Sequence, residues 1–455
     1  MLRRLGVFAG SFTLDAVAAV AAGATIDESD VFEVLAGLVD KSLVVSLARK
    51  GENRYRLLES TRAFALEKLA AGHYAALARR LCQHMTIVFE RAERTWPTTL
   101  RTAWLAACEP ELDNLRAALG WSLRSEGDPA LGLKLAGNSD LLWRELSLVQ
   151  EQRYWFALAL TYVDHATPPS VEARIRIGLG WDPYGGDGGR ISYDLRAIEL
   201  FRQVGDEPVL LAKALTQAAL SPASRLRGVA EAERYLDEAL SVCRRCGRTK
   251  CLAVTLLIAG GTRYGVGDLE AARALVEEAL ALSKAFGDVR IQDYCEVELA
   301  KTAFAAGRRA EAIDRAGQTV ESSRRHGTLT AEFLALDSLA SFLILDDQIQ
   351  PGRVAALRAF ELSRALGNVS FSGSIYRLAL VLAVHGETDT AALLAGFADG
   401  YADQQQFGRS RFTIAIRSKL VERLHCAMSP DECQTAMAAG AAWSEREAIA
   451  AAEAA

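Results

Sequence analysis

Positive charge and long hydrophobic runs are both scarce in this sequence, and each shortage excludes a class of protein. The chain has 52 Lys and Arg residues against 57 Asp and Glu residues, which gives a formal net charge of −5. This balance lacks the surplus of positive charge that binding to nucleic-acid phosphates requires. No run of about 18 uncharged apolar residues occurs, so we expect no membrane-spanning segment. The 8 cysteines in 455 residues are too sparse for a disulfide framework and favour a reducing cytoplasm.

The sequence also lacks the motifs of nucleotide and metal chemistry. No segment matches the phosphate-binding pattern G-x-x-x-x-G-K-[ST]. The nearest glycine-rich pieces are Gly260–Gly265 and Tyr184–Gly189, and neither contains the lysine that holds the phosphates. The 6 histidines are scattered, and none stands in the zinc-binding spacing H-E-x-x-H. We therefore predict a protein that is not an enzyme and that has no cofactor and no bound metal.

A repeat of 40 residues dominates the second half of the chain. Gly247, Gly287, Gly327 and Gly367 each close a similar segment, and turn sequences stand halfway between them. A fixed period of this length is typical of stacked supersecondary units. Each unit is predicted to be a helix, a short turn, a second helix and a glycine stop. The glycine suits a left-handed helix end, since it has no β-carbon to resist that conformation.

The positions before each glycine predict which side of the second helix is buried. Residues eight, seven, four and one before the glycine share one helical face. The position three before it always holds a cation, which favours the negative end of the helix dipole. The residues four before are Cys243, Ser283, Ser323 and Ser363, those one before are Cys246, Phe286, His326 and Leu366, and the cations are Arg244, Lys284, Arg324 and Arg364.

The first 72 residues have a different pattern, which predicts a winged helix. The expected elements are helices at Leu14–Ala22 and Asp30–Lys41, strands at Leu43–Leu47 and Tyr55–Leu57 around a polar turn, and a closing helix. Winged helices often read DNA, but this segment carries nine cations and nine anions. The helix that would enter the groove holds Asp30, Glu33 and Asp40 against a single lysine. DNA binding by this chain alone is therefore not our first interpretation.

Four segments resemble bacterial signalling ATPases with numerous domains, the STAND class: LRRLGVFAGSFTLDAV, LAGLVDKSLV, RYRLLESTRAFALEKL and ELDNLRAALGWSL. The resemblance implies a winged helix followed by tetratricopeptide-like repeats, with the nucleotide-binding domain of the class missing from this chain. It also places Leu57-Leu58-Glu59 where related ATPases often have a Met-His-Asp triplet whose histidine senses phosphate. Leucine cannot make that contact, so nucleotide sensing is not expected here.

The fold class predicted is therefore mainly α, with an N-terminal winged helix followed by a tetratricopeptide-like α-solenoid that forms a right-handed superhelix. The predicted boundaries are 1–72 for the winged helix, 73–126 for linking helices, 127–408 for the repeats and 409–455 for C-terminal capping helices and a tail. The alanine- and glutamate-rich tail Ser444–Ala455 is expected to fray.

The candidate site residues fall into two groups. Arg56, Glu59 and Arg62 are predicted to contact a neighbouring domain. The loosest turn of the array, with Trp181, Tyr184 and Arg190, is predicted to offer a partner or ligand surface.

Some cysteine, histidine and tryptophan patterns could indicate a metal or catalytic site, but packing in the core explains them more simply. Cys243, Cys246 and Cys251 could bind a metal, but the repeat register assigns Cys243 and Cys246 to packing. Cys82 and His84 lie two residues apart, on different helical faces, and are not expected to form a nucleophile pair. Trp143 and Trp155 are expected in the core.

The sequence thus predicts a non-catalytic regulatory module in the cytoplasm. A protein or small effector would bind the repeats, and the winged helix would relay its binding to another domain, in transcriptional regulation. One alternative is a direct DNA-binding regulator. Another is part of a nucleotide-switch ATPase whose phosphate-binding domain lies on a missing N-terminal segment or a separate chain, in cis or in trans. No membrane partner is expected.

Overall fold

The structure is a computed structural model that describes residues 1–23, 26–49, 52–124, 126–180, 191–220, 229–247, 250–367, 370–404 and 410–455. It is mainly α-helical, with one small sheet near the start. The chain divides into two units, which we describe separately. The first unit comprises Met1–Trp181 with Tyr193–Leu211, and the second is chiefly Ala212–Ala455.

The first unit begins with a winged helix, as predicted. Its elements are α1 (Leu2–Leu5), β1 (Phe12–Thr13), α2 (Leu14–Ala21), α3 (Val31–Asp40), β2 (Val45–Arg49), β3 (Glu52–Arg56) and α4 (Glu59–Glu67). The three strands are antiparallel in the order β1-β3-β2. The Thr13 side chain accepts a hydrogen bond from the Ala16 amide, so it starts α2 as an N-cap.

The predicted bounds of the two wing strands were wrong. The strands do not run at Leu43–Leu47 and Tyr55–Leu57, because the β2–β3 ladder continues to the pair Arg49 and Glu52. Polar residues assigned to the turn therefore lie in the ladder, where backbone pairing outweighs their turn preference. The elements α1 and β1 are too short to give a periodic signal, so the sequence does not predict them.

The rest of the first unit is helical. It consists of α5 (Ala71–Thr95), α6 (Arg101–Cys108), α7 (Leu112–Ser122), α8 (Pro129–Glu145), α9 (Val149–Leu160) and α10 (Pro169–Gly180), with α11 (Ile191–Val204) following in the chain. One hydrophobic cluster runs without a break from Leu5 in the winged helix to Leu179 in α10. The winged helix therefore shares its hydrophobic core with the helices after it.

The second unit contains the repeats. After α12 (Pro208–Leu220), its helices are α13 (Val229–Arg245), α14 (Lys250–Val266), α15 (Leu269–Ala285), α16 (Val289–Ala305), α17 (Arg309–His326), α18 (Leu329–Leu345), α19 (Ile349–Ala365), α20 (Phe371–His385) and α21 (Thr388–Gln404). Each predicted repeat is an antiparallel pair, and the first helices α14, α16, α18 and α20 contact one another in sequence. We call the surface of these four first helices the inner face.

The glycine stops have the predicted conformation. Gly247, Gly287, Gly327 and Gly367 have φ values of 92°, 61°, 66° and 84°, in the region that favours glycine. A second series closes the first helices, at Gly267, Gly307, Asp347 and Gly386. Asp347 has a φ value of 59°. Aspartate tolerates this left-handed conformation better than most residues other than glycine do.

The predicted buried face of the second helices is correct in part. The residues four before the glycines, Cys243, Ser283, Ser323 and Ser363, are all buried. The residues one before the glycines are not uniformly buried, because Cys246 and His326 are exposed. The chain leaves the helix there, so the last position turns away from the core. The packing role assigned to Cys246 was therefore wrong, whereas that of Cys243 is confirmed.

Three helices follow the repeats: α22 (Arg411–Ala427), α23 (Pro430–Ala441) and α24 (Glu445–Glu453). The tail from Ser444 was expected to fray, but it forms α24. A capping box between Ser444 and Glu447 starts this helix, and Ala448 and Ala452 are buried. Among the residues that the structure describes, no helix has both the length and the apolar character needed to cross a bilayer.

Candidate functional site

A buried polar junction joins the winged helix to α7. Arg54, on β3, is 3% exposed, and its guanidinium donates to Glu111 at 2.6 Å and to the Ser11 side chain at 2.9 Å. Asn114, on α7, accepts from the Ala9 and Gly10 amides at 3.1 and 3.0 Å. A buried ion pair is stable only when its remaining hydrogen-bonding groups are satisfied in this way.

The junction makes the winged helix and α7 one body. The Asn114 amide also donates to the Ser11 carbonyl oxygen at 2.8 Å and to Glu111 at 3.1 Å. Rotation of the winged helix against α7 would break these bonds and leave charges buried without partners, at a cost of several kcal/mol. The shared hydrophobic core adds to this resistance. Any movement of the winged helix must therefore include α7.

Helix α3 occupies the position of a DNA-recognition helix, but its exposed side is apolar and acidic. Phe32 is 60% exposed and Val34 38% exposed, and Glu33 and Asp40 are also exposed. Base edges are read mainly by Arg, Lys, Asn and Gln side chains, and none of these lies within Val31–Asp40. Exposed aromatic side chains are typical of protein interfaces.

The predicted interdomain residues lie on the winged helix, but they do not form the junction. Arg56 and Glu59 are exposed. Arg62 donates to the Phe8 carbonyl oxygen at 2.8 Å, a bond within the winged helix. Their contact with a further domain stays a prediction. Arg54 is the residue that reaches the neighbouring helices, and its place at a mid-strand position between Asn53 and Tyr55 gave no sign of burial.

The second predicted group cannot be placed. Trp181, Tyr184 and Arg190 lie outside the described residues, so the partner surface assigned to them stays a prediction. Trp143 is buried, and its indole donates to the Ser139 hydroxyl at 3.1 Å, as a core residue would. Trp155 is partly buried against the core of the first unit.

The inner face of the second unit carries a buried charged pair. Arg377, on α20, is 1% exposed and donates to Asp337, on α18, at 2.7 Å and to the Ser341 hydroxyl at 2.8 Å. Burial raises the pKa of Asp337, and the positive charge of Arg377 opposes this rise. One oxygen of Asp337, the second terminal nitrogen of Arg377 and the Ser374 hydroxyl have no hydrogen-bond partner among the described residues.

An aromatic cluster lies further along the same face. Tyr264, Phe304 and Phe342 come from α14, α16 and α18 in turn, and the rings of Phe304 and Phe342 stack at 4.6 Å between centroids. Phe412, on α22, lies 6.3 Å from Tyr264, 5.6 Å from Phe304 and 5.1 Å from Phe342. We call these three inner-face rings the aromatic socket. The repeat register placed its members on first helices, but nothing in the sequence indicated that Phe412 fills it.

The cysteines show no catalytic or metal-binding geometry in the described part of the chain. Burial raises the pKa of Cys82 to about 12, which disfavours the thiolate that a nucleophile needs. The sulfur atoms of Cys243 and Cys251 are 3.3 Å apart and buried, while Cys246 is exposed. No group of three potential ligands of a metal ion was found among the described residues.

Comparison with known proteins agrees with this architecture. Residues 1–70 match the family of winged helix-turn-helix domains. The chain is 31% identical over 353 residues to a protein of Mycobacterium tuberculosis whose name assigns it to the HTH-type transcriptional regulators. The aligned part is 75% of this chain and 39% of that protein. A protein of Mycobacterium bovis with the same kind of name gives the same values. The chain thus spans about two fifths of the length of these curated relatives.

Two solved structures share the fold. One is a signal transduction ATPase with numerous domains and a tetratricopeptide repeat sensor from Pyrococcus horikoshii, with a TM-score of 0.55 over 96% of this chain and 61% of that chain. The other is a Rap protein complexed with competence and sporulation factor, with a TM-score of 0.56 over 83% of this chain and 97% of that chain. Sequence identity is 12% in both, so they establish the helical-repeat fold and not the function.

Proposed function

We propose that this chain is the regulatory part of a bacterial transcription regulator and works in the cytoplasm by binding, not by catalysis. A protein or small effector binds the inner face of the second unit. The winged helix, together with α5–α7, passes the effect to another protein domain. Similarity to HTH-type regulators supports the regulatory role, and the helical-repeat fold supports binding through an extended surface.

The exposed side of α3 is the observation that carries this proposal. Phe32 is the most exposed aromatic residue of the winged helix, at 60% against 53% for Phe64. Acidic residues beside it would repel DNA phosphates, whereas an aromatic side chain is a typical anchor of a protein interface. A nucleotide-binding domain in cis or in trans is the partner that the STAND resemblance favours.

The relay must act on a rigid body. Because the Arg54–Glu111 junction fixes the winged helix to α7, this body docks on its partner as a whole. Coupling then requires two docking states whose free-energy difference the effector changes. An effector that binds both states equally would have no influence.

Photo-crosslinking at position 32 tests the proposal. Phe32 is replaced by p-benzoylphenylalanine in the full regulator inside cells, and adducts are identified by mass spectrometry. We expect an adduct with a nucleotide-binding domain. The matched control is Val354, which is 68% exposed on α19 and should give no such adduct. An adduct with DNA, or none, would contradict protein docking through α3.

Direct DNA binding is the second candidate, favoured by the match of residues 1–70 to winged helix-turn-helix domains. The test is a mobility shift with purified chain and a mixture of random duplexes at low salt. We expect no shift, given the acidic α3. A shift that weakens linearly with the logarithm of salt concentration would replace our proposal, because that slope reports phosphate contacts.

A nucleotide-switch role is the third candidate, in which the phosphate-binding domain lies in another segment or chain. The length of the curated relatives supports it, since about three fifths of them lie outside the match. The purified chain should hydrolyse ATP at the background rate. Hydrolysis above background that the Glu59→Ala variant loses would show a catalytic role for this chain and overturn the non-enzymatic proposal.

A further inference from the structure

Helix α22 lies on the inner face and reaches far beyond its neighbours in the chain. It packs against α20, α18 and α21. Its first turn reaches α14, where Arg411 donates a hydrogen bond to the Tyr264 carbonyl oxygen at 3.1 Å. These two residues are 147 positions apart in the sequence. Phe412 fills the aromatic socket in the same turn. One helix therefore contacts the first helices of all four pairs.

This placement differs from that of a terminal cap. In stacked repeats each pair contacts only its neighbours, and a capping helix covers the last pair. Here α22 follows the fourth pair yet contacts the first, second and third through Arg411 and Phe412. A segment that crosses several repeats along their inner side occupies the surface that repeat proteins use for extended ligands.

The two halves of α22 are held differently. Ile416, Leu420 and Leu424 are fully buried in the main core of the second unit. Phe412 is only partly buried, and it packs on a separate small cluster around Ala300, Ala303 and Phe342. The Phe412 ring can therefore leave the socket without opening the main core, because it packs on the small cluster while Ile416, Leu420 and Leu424 anchor the rest of the helix.

Two cations of α22 contact the ends of first helices. Tyr264 lies in the last turn of α14, and Ile344 in the last turn of α18. Arg411 donates to the first carbonyl oxygen, and Lys419 donates to the second at 3.2 Å. The last carbonyl groups of a helix lack partners within the helix and attract positive charge. The inner face thus holds an aromatic side chain next to a cation, with a second cation about two turns further along α22.

The Arg411 side chain also covers the socket. Its guanidinium lies 5.6 Å from the centre of the Tyr264 ring, and the Lys301 ammonium lies 5.5 Å from the same ring. Cations at these distances are attracted to the face of an aromatic ring. A competing segment can place a cation over the Tyr264 ring and an aromatic ring in the socket only when the two residues are adjacent, as Arg411 and Phe412 are.

We infer that the aromatic socket of Tyr264, Phe304 and Phe342 is the anchor point of a peptide groove, and that Arg411 and Phe412 occupy it in cis. The partner that fits is a protein segment with an Arg-Phe-like pair, and it binds by displacing the first turn of α22. This inference rests on the proposed function, since it names the partner class and the regulation of the inner face. Tethering gives the internal segment a high effective concentration, so it weakens the apparent affinity of any competitor.

A short probe peptide tests the groove in the full chain. The probe is the six residues Ser-Arg-Phe-Thr-Ile-Ala, the sequence of Ser410–Ala415, with fluorescein at the amino end, and binding is followed by fluorescence anisotropy. The Arg411→Ala/Phe412→Ala variant has an empty socket and should bind the probe about tenfold or more tightly than the wild type does. A probe with alanine in place of phenylalanine should not bind.

Ile414 provides the matched control, since it lies on the same helix and is 52% exposed. The Ile414→Ala variant should bind the probe as weakly as the wild type does. Circular dichroism confirms that each variant is folded. Equal binding by all variants, or no binding by the folded double variant, would overturn the groove. A double variant that fails here while position 32 still gives its protein adduct would leave the proposed relay intact, and the reverse result would leave the groove intact.

Discussion

The Arg54 junction and the Phe412 contact both connect segments that are far apart in the sequence, but they are built in opposite ways. The junction is a buried ion pair, 3% and 6% exposed at Arg54 and Glu111, inside a continuous hydrophobic core. Phe412 is a partly buried side chain on a small separate cluster. The first contact is almost fully buried, whereas the second is partly exposed to solvent.

This difference indicates where each unit can change. A buried charge that loses its partner is penalised heavily, so the junction holds in a single arrangement. A partly exposed aromatic side chain loses only a modest free energy when a similar side chain replaces it. The winged helix is therefore fixed to α7, whereas Phe412 is the side chain that we propose a partner displaces.

The largest expected effect is at the junction. The Glu111→Ala variant leaves Arg54 buried without its carboxylate, and we expect it to lower the free energy of unfolding by about 3–5 kcal/mol. Urea denaturation measures this. Tryptophan fluorescence follows chiefly the first unit, because Trp443 is the only one of the 7 tryptophans after residue 181.

Glu109 is the control for this prediction, since it is exposed two residues away. The Glu109→Ala variant should change the free energy of unfolding by less than about 0.5 kcal/mol. If Glu111→Ala matched Glu109→Ala, the junction would not fix the winged helix, and the comparison with Phe412 would fail.

A smaller loss of stability is expected at the contact between α21 and α23. A β-carbon on Gly440 would overlap the Leu393 carbonyl oxygen, and one on Gly396 would overlap that of Met437. The Gly440→Ala variant should lose about 1–3 kcal/mol of unfolding free energy, since the two backbones must move apart. Thermal denaturation followed by circular dichroism checks this.

Gly400 offers the matched substitution on α21. A β-carbon there would lie 3.7 Å from the Ala441 β-carbon, an ordinary contact. Gly400→Ala should leave the stability unchanged or raise it slightly, because alanine favours the helix. If both variants lost the same unfolding free energy, the close approach of the two helices would not explain the effect at Gly440.

A still smaller loss is expected at the socket. The Phe412→Ala variant should lose about 1–2 kcal/mol, because only part of the ring is buried, and the tryptophan transition of the first unit should not move. Ile414→Ala should be neutral. A loss at Phe412 as large as that at Glu111 would place Phe412 in the fixed core and remove the contrast between the two contacts.

The repeat register is the part of the fold that the sequence predicts best. Gly247, Gly287, Gly327 and Gly367 require a left-handed backbone, and the serines four before three of them need a small buried position. Such local requirements recur every 40 residues, so each copy confirms the others. The winged helix was predictable from its change of period, although its shortest elements were not.

The contacts on which our proposals rest were not predictable, because they depend on tertiary partners. Nothing around Arg54 in the sequence indicates that Glu111 lies opposite it, and nothing around Phe412 points to Tyr264. Repeats make local contacts regular, but a segment that crosses several of them carries no periodic signal. The absence of base-reading residues on α3 was visible in the sequence, whereas the exposure of Phe32 was not.

The last prediction uses the reactivity of the thiols to compare the Arg54–Glu111 junction with the Phe412 contact. Cys246 and Cys426 are exposed and the other six cysteines are buried, so a thiol reagent at pH 8 should label two groups quickly. Burial raises the pKa of Cys108 to about 12, which leaves roughly one thiol in ten thousand ionised at that pH.

Cys108 lies beside the junction, one residue before the short 3-10 turn Glu109–Glu111, so its labelling reports on the state of that junction. In the Glu111→Ala variant its labelling should rise toward that of Cys246, because local opening exposes the thiol. In the Phe412→Ala variant it should stay slow. Rapid labelling of Cys108 in the wild type would mean that the junction opens readily in solution, and the winged helix could then move independently of α7.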